Sequence, residues 1–134
     1  MSYGIFLLRF VDGEVVALDA GLFRRIAEPY TVAGGPEEGF SRFRAEDGGE
    51  AEVHHAARDG SGLQGATLTH VSRGAMSGVL ARMAAALGAS IVPQDGAALI
   101  FHEEDRRHLH AVLQEGAVVI APTADAVQEA FDAV

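Results

Sequence analysis

The chain has 134 residues, a length that suits one domain around one core, and its 49% apolar and 22% charged composition is that of a globular protein rather than a disordered one. Its formal charge is -9, from 19 acidic against 10 basic residues, so its field repels phosphate backbones and anionic lipid. That excludes nucleic acid and membrane surfaces as favoured partners and leaves a basic protein partner as the class attracted; the lack of Cys and Lys excludes disulfides, thiolate nucleophiles, iron–sulfur clusters, P-loops and Schiff-base lysines.

Gly4 to Phe10 is rich in β-branched and aromatic residues and ends at the turn pair Asp12-Gly13, which predicts a first, mostly buried strand. The apolar run Ile5 to Leu8 is too short for a signal-peptide core and no basic residue precedes it, and no window nears the ~20 apolar residues of a membrane span; a cytoplasmic location is expected. Asp19 predicts an N-cap for a short amphipathic helix carrying Leu22, Phe23, Ile26 and Ala27 on one face and stopped at Pro29. Residues 33–39 read as a glycine-rich surface loop. Alternation over Phe40 to Ala45 and a run from Ala51 to Ala56 predict a hairpin turning through Glu46 to Glu50.

Ala66 to Val71 predicts a strand, with Ser72 placed to cap the longest helix, whose stripe is Met76, Val79, Leu80, Met83 and Leu87 and whose stop is Gly88. Short strands are expected at Ser90 to Val92 and Ala97 to Phe101, then a charged helix over Glu103 to Leu113. Ala117 to Ala121 has no polar member, which predicts an interior strand covered on both faces. Thr123 is placed to cap a last helix with Val127, Ala130, Phe131 and Val134 inward. The order β-α-β-β-β-α-β-β-α-β-α implies a single domain, residues 1–134, of α/β or α+β class: a mixed β-sheet with helices packed on it, and parallel crossovers around Ala75 to Leu87 and Glu103 to Leu113.

The opening Met-Ser-Tyr with its apolar strand, and Thr67-Leu-Thr-His-Val-Ser-Arg-Gly74 leading into a helix and then Ala89-Ser-Ile-Val-Pro93, resemble a group of short actinobacterial proteins with no assigned activity. The resemblance implies a bacterial protein and carries no catalytic residue with it.

Gly60-Ser61-Gly62-Leu63-Gln64-Gly65 matches the dinucleotide-binding glycine pattern, but a strand rather than a helix follows it and no acidic residue lies between Gly60 and Gln94 to hold a ribose; no cofactor is expected. His102-Glu-Glu-Asp-Arg-Arg-His-Leu-His110 is the densest ionisable cluster. The zinc pattern needs a His where Arg106 stands, and on an α-helix His108 and His110 point about 200° apart, so the cluster reads as a solvated helix face and no metal is assigned. His54 and His55 leave a strand on opposite faces, so only one of them could join His70 in a site.

The strand-to-helix junction His70-Val-Ser72-Arg73 is where free backbone N–H groups and the helix dipole gather ligands in such folds. The expectation is therefore an acidic cytoplasmic interaction or binding module, an accessory or immunity-type protein covering a basic partner, with no catalytic residue assigned. The alternative is a small enzyme or anion-binding protein whose ligand-binding residues are His70, Ser72 and Arg73.

Overall fold

The computed structural model describes residues 4–35, 39–55, 58–59, 62–63, 65–94 and 96–132. The first strand, β1 (Ile5–Val11), turns through Asp12 and Gly13 into β2 (Glu14–Val16). Both turn residues have positive φ, 52° and 86°, the two-residue geometry whose twist matches an antiparallel hairpin. After β3 (Leu18–Asp19) comes α1 (Ala20–Ala27), where the Asp19 carboxylate accepts from the Leu22 N–H at 3.0 Å as its spacing predicts. A 3-10 turn, Glu28–Tyr30, leads into β4 (Thr31–Gly35), a strand where a loop was expected.

The predicted hairpin is β5 (Phe40–Arg44) and β6 (Glu50–His55), joined across the pair by a 2.8 Å ion pair from Arg44 to Glu50. Two-residue strands β7 (Arg58–Asp59) and β8 (Gly62–Leu63) pair with each other and with β3 as a separate small sheet. Then follow β9 (Ala66–Thr69), α2 (Ala75–Leu87), β10 (Ser90–Pro93), β11 (Leu99–Ile100), a 3-10 helix over Glu103–His108, α3 (Ala111–Gln114), β12 (Val118–Val119) and α4 (Ala124–Asp132).

The main sheet runs β12-β11-β10-β1-β9-β6-β5-β4, with β2 attached to β1. Its described pairs are antiparallel except β11 with β12, so the chain forms one mixed α+β domain. The parallel crossover expected around residues 103–113 joins those two neighbours. That expected around α2 joins β9 to β10, which run the same way because each is antiparallel to β1 between them.

Alternation along the strands divides the apolar residues between two faces. Ile5 and Leu7 of β1, Phe43, Val53, Leu68, Ile91 and Leu99 meet Phe23 of α1, the whole α2 stripe, and Val127 of α4 in the main core. Leu8 and Phe10 point the other way, where Ile100, Leu109 and Ala117 make a second, smaller cluster beneath the 3-10 helix. Helices α2 and α4 come close at Gly78, where a Cβ would sit 3.2 Å from that of Ala124. No described helix is long and apolar enough to cross a membrane.

Three further expectations need correction. Ser72 does not cap α2: the N-cap residue is Gly74, which offers no side chain, and the Asp47 carboxylate reaches over from the β5–β6 turn to accept from the Ala75 N–H at 3.1 Å. The charged segment is not one α-helix, because Leu109 and His110 are extended between a 3-10 helix and the single turn of α3. Finally, β12 is an edge strand with Val118 and Val119 45% and 42% exposed, so its unbroken apolar character reflects no burial on two faces. The inward Val134 expected at the end of α4 lies outside the described residues.

Candidate functional site

At the junction between β9 and α2, His70 holds a left-handed φ of 52° and places Nδ1 3.3 Å from the Glu52 carboxylate. The Ser72 hydroxyl accepts from the Glu50 N–H at 2.9 Å. Arg73 forms a two-pronged ion pair with Asp132 of α4, at 2.5 and 2.8 Å, which holds the Asp132 carboxyl below its ordinary range and raises the guanidinium. The three side chains thus go to three different partners.

The N-terminus of α2 is occupied from within the chain. Asp47 accepts from Gly49 and Ala75 N–H groups, which lower its carboxyl pKa, and the Gln128 side-chain oxygen accepts from Gly74 N–H and the Ser77 hydroxyl. An internal carboxylate therefore already uses the positive end of the helix dipole. Of the predicted glycine pattern, Gly60, Ser61 and Gln64 lie outside the described residues, while Gly65 packs where a Cβ would stand 2.7 Å from Leu8 and leads into β9. His54 lies against the Phe40 ring, with centroids 5.3 Å apart, and among the described residues no three His, Asp or Glu side chains are grouped to hold a metal.

A different set of groups surrounds a cavity of about 180 Å³ at the other end of α2. Gly88 stops the helix in the left-handed conformation, with its N–H shared between the Ala84 and Ala85 carbonyls, and the chain enters β10 at Ser90. Facing this corner is the 3-10 helix Glu103–His108, carried on the second apolar cluster through Leu109 and Phe10. Ser90, His102, Asp105 and His108 all line the cavity, with Phe10 and Phe101 among its apolar walls. Ser90 is only 7% exposed and its hydroxyl has no hydrogen-bond partner among the described residues. Buried hydroxyls are nearly always paired, with protein, ordered water or a ligand.

The polar wall combines the extended residue His102, which precedes the 3-10 helix, with Asp105 and His108, which stand three apart and so share one face of it. His108 is also fixed from behind. The Asp12 N–H donates to its Nδ1 at 3.2 Å, the Gly13 N–H donates to its backbone oxygen at 2.9 Å, and the Asp12 carboxylate lies 3.5 Å from Nδ1. In the neutral ring this puts the proton on Nε2, the nitrogen left free for other contacts. Arg106, in contrast, turns to Glu103 and to the Gln114 and Ala117 carbonyls. The sequence reading took this cluster for a solvated helix face, and Ser90 carries no local signal that would place it beside the cluster.

No protein-family model matches the chain, and neither the curated proteins nor the solved structures contain a match to it.

Proposed function

We propose that this chain is an acidic binding module whose ligand is a small molecule held in the cavity between the end of α2 and the 3-10 helix. The buried Ser90 hydroxyl carries the reading: it faces a hollow with room for about six waters and finds no partner in the described protein. A donor and acceptor hydroxyl, an imidazole oriented by the β1–β2 turn, a carboxylate and aromatic walls form the mix of few polar and many apolar groups that small-molecule sites use. The other exposed surface of note, the outer face of β5 and β6, balances Arg42 and Arg44 against Glu50 and Glu52, so it offers a basic partner no surplus charge.

The test is amide chemical-shift mapping with a fragment set of mixed charge. Fragments that bind should move the Ser90, His102, Asp105 and His108 resonances, and Ala85→Leu, which enlarges a side chain in the cavity wall, should abolish those shifts. Shifts confined to other surfaces, or unaffected by Ala85→Leu, would remove the reading.

A further inference from the structure

We infer that the cavity selects a small organic cation, an ammonium group on a compact apolar body of about six to nine non-hydrogen atoms; this rests on the cavity being the binding site.

The charge on the wall decides the class. Asp105 is half-buried and forms no ion pair within the described residues, so a carboxylate faces the hollow without a counter-ion. The last turn of α2 supplies Ala84, Ala85 and Gly88 to the same wall, and a helix C-terminus presents the negative end of its dipole. No arginine is among the described residues that line the cavity: Arg106 is held by Glu103 and two carbonyls, and Arg9, whose Nε lies 3.9 Å from where a Gly88 Cβ would stand, is outside the lining. An anion would meet Asp105 and the dipole with no arginine among the described lining residues to pair with it. The net charge of -9 acts the same way at longer range.

The remaining groups define the rest of the ligand. The Phe10 and Phe101 rings offer apolar walls that accept either a hydrocarbon body or, through their faces, a cation. Ser90 and Nε2 of His108 add hydrogen-bonding positions that a purely hydrocarbon amine leaves to water and that an amino alcohol or amino ether would use.

Three probes of one shape separate charge from shape: benzylamine, benzyl alcohol and benzoate, each titrated at neutral pH against the full chain and followed by the amide shifts of Ser90, His102, Asp105 and His108. Benzylamine should bind about tenfold more tightly than benzyl alcohol, with benzoate weakest. Asp105→Asn should erase the advantage of the amine over the alcohol while leaving the alcohol's affinity within about twofold. Glu104→Gln, which removes the same charge one residue away on the exposed side, should keep it, so a general field effect is told apart from the Asp105 contact. Equal binding of all three probes at these residues, or preference for benzoate, overturns the cation assignment and leaves the cavity as a site. Failure of every probe to move these resonances at about 10 mM, near the millimolar affinities that mark weak binding, overturns the cation assignment for compact amines, and the mixed fragment set then decides the cavity itself.

Discussion

Replacing Ser90 by Ala should stabilise the ligand-free protein, although the substitution deletes a polar atom from a strand. An unpaired buried hydroxyl carries a desolvation penalty of about 1 to 3 kcal/mol, and the neighbouring hollow lets water recover part of it, so the expected gain is about 0.5 to 1.5 kcal/mol. Ser77→Ala is the comparison. Ser77 is also buried, on α2, but its hydroxyl donates to the Gln128 oxygen at 2.9 Å, so the loss of about 1 kcal/mol from that bond outweighs the fractional gain in helix propensity. Urea unfolding monitored by circular dichroism reads both as shifts of midpoint at constant slope, and for a domain of this size 1 kcal/mol moves the thermal midpoint by about 3 to 5 °C. The two variants should move in opposite directions. Destabilisation of Ser90→Ala by 1 kcal/mol or more would mean that the hydroxyl is satisfied in the folded protein, and the argument for a ligand would lose its basis.

Leu109→Ala should lower stability by about 2 to 5 kcal/mol, read from the same unfolding curves, because Leu109 is 1% exposed and holds the 3-10 helix to Phe10 and Ile100. Gly34→Ala should destabilise by more than about 1 kcal/mol and broaden the amide signals of β4: Gly34 has φ +72°, and an added Cβ would lie 2.1 Å from the Phe40 carbonyl oxygen. The acid limb of stability follows from Asp132. Arg73 depresses its folded-state pKa from the ordinary 3.8, so the stabilisation is present above that value and is lost as pH falls through the folded pKa; in Arg73→Gln, urea midpoints should fall less steeply below about pH 4 than in the parent.

The elements that could be read from the sequence are those whose signals are local. Asp19 caps α1 because the acceptor and the Leu22 N–H are three residues apart, and the α2 stripe needs only a core to face. The β5–β6 hairpin is visible in alternation and turn composition. What escaped was decided at a distance. Ser72 is a good local cap, yet Asp47, from a turn 28 residues away, reaches the helix first, and Ser72 ties β6 instead. Residues 33–39 look like loop because of their glycines and proline, yet residues 33–35 pair with β5 at the edge of the sheet, where such a sequence is accepted. The candidate site was hidden because its parts meet only in the fold: Ser90 and the end of α2 face residues 102–108 across the second apolar cluster.

The position of β1 has a consequence for how the protein comes into being. β1 leaves the ribosome before both of its distant neighbours, Leu68 opposite Ile5 on one flank and Ser90 opposite Leu8 on the other. At about 5 to 20 residues per second, roughly 80 residues of synthesis separate Leu8 from Ser90, so the flank of β1 that β10 will cover stays unpaired for about 4 to 16 s, longer than the flank that β9 covers. Translation that halts before β10 leaves a fragment with one open flank, the form in which strands recruit one another into aggregates.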